Sequence, residues 1–501
     1  MAGIKSLAKD TAVYGLSSIL GRFLNWCLVP LYTIMFPAAE YGIVTYIYSF
    51  TALALIILTY GMETGFFRFT AHERYPDPME VYSTSLISLA SSSLLFIALL
   101  FAFLAPVSRA MGCAAHPDYV WMMGVAVALD AFTAIPFSYL RYRKKAMRFA
   151  ALRLVNIALN IGLNIFFILI CPWLWRQAPG WIAWFYDPDF GIGYIFLTNL
   201  VTSAVNVLLL LPELRGFPWR FNGRLLREML AYSAPLLVLG IAGVMNQSID
   251  KIIFPSLCPD PADAMHQLGI YGANYKIAIV MVMFIQAYRF AYEPFIFARG
   301  REAGSEEARM QSYRDAMKWF VIASMAIFLI VMFYIDIVKH FIAPSYYSGL
   351  RVVPIIMIAE FFFGVFFNLS LWYKLTDKTQ WGMWLSLLGL VVTIGLNVIL
   401  VPRMGYMGCA IAALGCYATM MLTSYWAGRT HYPIGYDIPR MCLYFLLAML
   451  LWIVGVIIGS EAHPILTMLA RTPLLLVYLL VVMRAEHLSL SSLRALIPRR
   501  R

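Results

Sequence analysis

Residues 384–401 read WLSLLGLVVTIGLNVILV, eighteen successive positions without a charge. Coiled as a helix, this run is about 27 Å long, close to the ~30 Å hydrocarbon core of a bilayer. It is apolar on every side, so it has no face suited to water. Working outward, comparable runs lie near 12–35, 41–66, 81–107, 119–140, 151–171, 191–212, 229–253, 269–297, 316–339, 350–373, 380–401, 407–427, 440–459 and 465–484. The expectation is an all-α integral membrane protein with about fourteen transmembrane helices.

The rest of the composition agrees. Of 501 residues, 62% are hydrophobic and 13% charged, against about a quarter charged in soluble domains. The 13 Trp and 30 Tyr suit rings at two water–lipid interfaces. The net charge is +12, but it lies in short loops, and no basic domain could wrap a nucleic acid. The seven cysteines are scattered and lack CxxC spacing, which excludes a disulfide framework or a zinc site. Lys5 and Lys9 precede a long apolar run with no small-residue cleavage site, so the first helix is expected to stay uncleaved. With the N-terminus in the cytoplasm, inner segments hold 27 Lys and Arg and outer segments 6. That asymmetry predicts an N-in, C-in protein of the cytoplasmic membrane.

A faint repeat runs through the chain. Ile161-Gly162-Leu163-Asn164 recurs as Ile394-Gly395-Leu396-Asn397, and Tyr41-Gly42 recurs as Tyr271-Gly272. Spans one to six then match seven to twelve in the same orientation, which encloses a path between parallel repeats. The expected division is a first lobe at 1–220, a second at 221–430, and two further helices with a basic tail at 431–501.

Charges inside spans are costly and tend to face a wet cavity or a partner. Arg22 lies in the first span with Asn25 one turn on. Arg289 lies in the eighth span, on one stripe with Gln286 and Glu293. One reading is a cationic wall that holds phosphate. The other is an Arg289–Glu293 pair that fixes packing. Lys276 sits off that stripe, where it would extend a basic path. Asp130 and Glu360 are lone acids near mid-membrane, each either a coupling site for a proton or cation or a hydrogen-bonding partner of a neighbouring helix. Arg68 is expected to snorkel to the headgroups. Asp250 and Lys251 read as interfacial anchors or, with Asn246, as a polar cavity face. Asn160 and Asn164 read as helix–helix glue.

Several functions are disfavoured. No Walker GxxxxGK[ST] occurs, and every histidine falls in a loop or near a span end, so neither an ATPase cassette nor a haem or metal site in the bilayer core is expected. No cofactor is expected. No loop is large enough for a catalytic domain, which leaves little support for a membrane-embedded polymerase or ligase.

Short motifs in order carry a resemblance over the full length. They are Ala12-Val13-Tyr14-Gly15-Leu16, Gly21-Arg22, Pro30-Leu31-Tyr32, Glu40-Tyr41-Gly42-Ile43, then Leu226 to Leu236, closing on Ser248-Ile249-Asp250-Lys251. They are similar to the O-antigen and capsule flippases of bacterial polysaccharide biosynthesis, in the MOP exporter superfamily. Lipid II flippases and MATE multidrug exporters are distant relatives. The resemblance implies two six-helix lobes around a cavity, two appended helices and alternating access. It implies a polyprenyl-pyrophosphate-linked oligosaccharide as substrate, membrane lipid as surroundings and a polysaccharide polymerase as a partner. A cation-coupled MATE-type exporter is the alternative, and Arg22 argues against it because a cation repels cationic drugs. The Trp-rich loop 172–190 departs from the family's motifs and is expected to form a small amphipathic cap on the outer leaflet.

Overall fold

The computed structural model describes residues 20–21, 23–215, 219–302, 306–458 and 464–487, and of residues 291, 293–302 and 464–465 the helix alone. Twelve helices among the described residues are long and apolar enough to cross a bilayer. They fall on the expected runs, and the first and sixth runs carry the shorter apolar helices Phe23–Met35 and Gly193–Leu209. The helices used below are α1 (Val29–Met35), α2 (Ala38–Thr59), α3 (Met62–Thr70), α4 (Pro78–Ala102), α5 (Pro117–Tyr142), α6 (Ala146–Ile165), α7 (Gly193–Leu209) and α8 (Gly223–Leu257). They continue with α9 (Ala264–Glu302), α10 (Glu306–Phe333), α11 (Val352–Leu369), α12 (Gln380–Met404), α13 (Tyr406–His431), α14 (Ile438–Ile458) and α15 (Pro464–Ala485).

Local chemistry sets the ends. Asp77 caps α4 by accepting from Met79 N, with Pro78 at the first helical position. Asn222 caps α8 by accepting from Arg224 N and Leu225 N. The second span breaks into α2 and α3 at Tyr60 and Gly61, whose φ values of 32° and 70° are left-handed. Gly61 O accepts from Ser233 Oγ of α8, and Tyr60 is tied to Ser88, so the break is bonded on both sides.

The chain divides into two compact units. One holds residues up to Ala273 with Ser386–Ala412, the other Asn274–Leu385 with Ala413 onward. In the first unit, α2 and the start of α9 meet backbone to backbone. A Cβ added to Gly42 would run into Met265 O, and one added to Gly269 would run into Ala38 O. Each glycine thus packs on the carbonyl four residues before the other, a local two-fold. Such close approach supplies the van der Waals contact that holds helices together in lipid. Gly272, of the Tyr271-Gly272 signature, packs on Thr45 three residues after Gly42. The residues of the other signature bond alike. Asn164 and Asn397 are both fully buried, and each donates to the carbonyl four residues back, Asn160 O and Thr393 O, at 2.8 Å.

At the end of the first unit rich in basic loops, Glu228 of α8 accepts from Tyr75 at 2.8 Å and pairs with Arg74 at 3.1 Å. Arg68 is exposed and lies over the Tyr232 ring at 4.4 Å. Asp250 and Lys251 are buried and pair at 3.1 Å, and Tyr271 donates to Asp250 at 2.7 Å. Asn246 donates to Ser386 O at 2.9 Å. These residues join α8 to α9 and α12 inside the protein, and the interfacial-anchor reading gives way to that joint.

In the second unit the appended helices are fastened to α10 near both ends. Lys318 of α10, with Tyr444 and Arg440 of α14, reaches Glu486 at 2.6, 2.5 and 3.7 Å. Farther along, Arg471 of α15 donates to Gly455 O at 2.9 Å and pairs with Asp336 at 3.4 Å.

The Trp-rich loop follows a π-turn at Phe166–Ile170 and forms two short helices, Cys171–Gln177 and Pro179–Ile182. Trp173, Trp181 and Trp184 are exposed, while Trp175 packs beside Tyr186. Burial, and then the neighbouring Tyr194, push the Tyr186 hydroxyl up to about 12.

Candidate functional site

Charge in the second unit gathers on one ring. Arg289 of α9 lies 4.0 Å from the centre of Phe367, and Lys374 lies 4.6 Å from the same centre. Phe367 lies in the last turn of α11, and Lys374 follows two helical turns later in the segment Leu371–Leu375. Seven residues of helix rotate by about −20°, so both side chains share a face. Each cation–ring contact is worth about 0.5–2 kcal/mol, which lets a desolvated cation stay charged. Polar groups frame the ring. Tyr288 donates to Asn368 at 2.7 Å, and Tyr288 and Tyr292 stack at 5.0 Å. A planar guanidinium fork and an ammonium on one aromatic base suit a ligand with two linked phosphates.

The other expected residues are placed differently. Gln286 is half-buried one turn before Arg289. Lys276 is half-buried thirteen residues earlier on α9, about 20 Å along the axis. Its neighbour Tyr275 donates to Glu360 at 2.7 Å, and Glu360 is buried. Asn25 is exposed on the first apolar helix. Arg22 and the Glu293 side chain lie outside the described residues. In the first unit, Asp130 is exposed, and no ion pair joins it to a described residue. Among the described residues no group of three or more His, Cys, Asp or Glu could hold a metal.

Sequence reading missed Lys374, which counts there as one more loop cation. The seven-residue spacing from Phe367 is its only linear signal.

The family model described as polysaccharide biosynthesis protein matches residues 7–297. No curated protein matches the sequence. Among solved structures, a lipid II flippase MurJ in an inward closed conformation superimposes with a TM-score of 0.69 at 11% identity, over 95% of this chain and 99% of that one. An inward-facing MATE-family multidrug resistance transporter of the MOP superfamily gives 0.65 at 13%, over 82% and 94%. A MATE in the straight conformation gives 0.60 at 14%, over 85% and 95%. At these identities the likeness establishes the fold, which is MurJ/MATE-like.

Proposed function

Since the chain belongs to the polysaccharide biosynthesis protein family, a family of membrane transporters and not of enzymes, we propose that it moves a polyprenyl-pyrophosphate-linked oligosaccharide across the cytoplasmic membrane by alternating access. The N-terminus and C-terminus face the cytoplasm, and two six-helix lobes with two appended helices do the work. The observation that carries the reading is the convergence of Arg289 and Lys374 on Phe367. A pyrophosphate head needs cations in a low-dielectric setting, which a guanidinium and an ammonium on one ring supply. The same two cations disfavour a cationic drug as cargo, which sets the MATE-type reading second.

The test is translocation of a fluorescent lipid-linked oligosaccharide in proteoliposomes. Arg289→Ala and Lys374→Ala should each abolish it while the protein still inserts. Arg289→Lys should restore part of it, because the charge survives and the fork is lost. Normal translocation in both alanine variants overturns the reading. Orientation is tested by single cysteines in a Cys-less chain. Asp263→Cys should react from outside the intact cell and Arg143→Cys only after the membrane is opened.

A further inference from the structure

The Trp-rich segment 172–190 has no part in the Arg289–Lys374 site, and it belongs to the first unit. The apolar span that leads into it covers Ala146–Gln177, 32 residues, or about 48 Å of helix. That exceeds the ~30 Å hydrocarbon core. The span begins at the basic loop 141–145. Trp175 and Arg176, about 45 Å farther on, therefore stand beyond the opposite edge of the core. In the orientation proposed above this is the outer face. Trp173, Trp181 and Trp184 are exposed there, at the level where such rings sit.

The segment does more than close over helix ends. It lines a cavity of about 260 Å³ together with Phe36 and the start of α7. The rings of Phe167, Tyr194 and Tyr186 stack in a column, with centres 4.9 and 5.1 Å apart at 12° and 15°. Trp175 stands next to Tyr186 at 6.0 Å, tilted by 59°. Gly191 is left-handed with φ of 48°, and a Cβ there would meet nothing nearer than Glu40 Oε2 at 3.7 Å. That side of the cavity is left unfilled. The polar groups on its wall are unspent. Tyr194 Oη accepts from Asp187 N at 2.7 Å, which leaves its own proton to donate. Tyr186 is buried, yet its hydroxyl has no hydrogen-bond partner among the described residues. The exposed Arg176 guanidinium has none there either. A buried hydroxyl without a partner points to one that the chain itself does not supply.

We propose that this cavity binds one neutral sugar ring of a glycan at the outer face. A sugar ring has C–H faces and hydroxyl edges. Its faces lie against aromatic rings, which Trp175 and the two tyrosines offer. Its hydroxyls both donate and accept. That matches the two phenols, the Arg176 donors and the exposed carboxylates of Asp187 and Asp189, which flank the lining residue Pro188. The size agrees, because sites for drug-sized ligands run from about 300 Å³ upward and this one is smaller. Charge separates a sugar from a lipid phosphate. Asp187, Asp189 and Glu40 set three carboxylates around the Arg176 guanidinium, and the Asp187 charge acts on both Tyr186 and Tyr194. An anionic headgroup is repelled there and a neutral ring is not. As a resting place for a glycan that has crossed, the site rests on the proposed cargo. Its binding of a free sugar does not.

The test uses the purified full chain in nanodiscs of neutral lipid. The probes are free neutral di- to tetrasaccharides of hexose and N-acetylhexosamine, with glycerol phosphate as the headgroup probe. Binding is read by saturation transfer from aromatic protons of the protein to C–H protons of the sugar. The parent should bind members of the panel, and Arg289→Ala should bind them equally well. Trp175→Ala should weaken binding about tenfold. Tyr186→Phe keeps the stack, removes the unspent hydroxyl and should weaken it about fivefold. Binding of no saccharide overturns the proposal, as does a Trp175→Ala variant that binds like its parent. Loss of binding in Arg289→Ala also overturns it, because the sugar then sits elsewhere. Displacement of the sugar by glycerol phosphate overturns it too and assigns the cavity to a lipid headgroup. If Trp175→Ala fails to fold, Tyr186→Phe decides, and unchanged binding in that variant counts against the site. A parent that binds free sugar yet moves no lipid-linked oligosaccharide sinks the cargo reading and leaves this site standing.

Discussion

The two units differ in how one pair of intramembrane charges is held. In the second unit the acids are closed. Glu486 takes Lys318, Tyr444 and Arg440, Asp336 takes Lys339 at 2.8 Å and Arg471, and Glu360 takes Tyr275. In the first unit Asp250–Lys251 and Glu213–Arg148 are closed in the same way, at 3.1 and 2.9 Å. Asp130 and Arg153, by contrast, lie open and apart. A closed acid has its field satisfied and acts as a fastener between helices. An open acid beside an open cation contributes little to holding the fold.

The largest stability effect should come from Glu486→Gln. Removing one partner of a buried ion pair costs about 3 kcal/mol or more, read as a lowered unfolding temperature in detergent or nanodiscs. The effect should also depend on pH. Burial alone would raise the Glu486 carboxyl, but hydrogen bonds from Lys318 and Tyr444, with the charges of Lys318 and Arg440, hold it below its ordinary 4.5. A depressed acid contributes stability that is present above the unfolded-state value and lost as pH falls through the folded one. Wild type and Glu486→Gln should therefore differ fully near neutrality and converge in acid, once the pH has fallen through the depressed folded-state value. A difference that persists unchanged into acid would break the fastener reading.

Arg471→Gln comes next. It leaves Asp336 with Lys339 but strips the bond to Gly455 O, and an unmade bond to a charged group costs about 2 kcal/mol. Glu360→Gln keeps an acceptor for Tyr275 and should cost about 1 kcal/mol. Asp130→Asn should be the smallest, within about 0.5 kcal/mol, because no direct ion pair is lost. A large destabilisation by Asp130→Asn would erase the contrast between the units, whereas a neutral variant would sharpen it.

Particular residues show how far the linear chain can be read. The Ile-Gly-Leu-Asn repeat was legible because its asparagines do the same local job twice, each bonding within its own helix. Its glycines, Gly162 and Gly395, have open space around them. Gly42 and Gly269 share that residue type and meet a facing helix backbone. Nothing within a helix distinguishes the two kinds of glycine; the facing helix alone does. The mid-membrane acids behave alike: Asp130 and Glu360 look equivalent as letters, and the packing of neighbours left one open and covered the other.

By itself the sequence determined that the chain lives in a bilayer, where its helices fall and which ends carry the basic loops. Those properties belong to single segments of about 20 residues, and each segment meets the lipid on its own terms. Only the tertiary structure decided which charges are fasteners and which are open, that Lys374 joins Arg289 on Phe367, and that Asp250 and Lys251 are interior. The reason is that inside a membrane a charge takes its energy from what surrounds it in space. Those surroundings come from helices far apart in the chain.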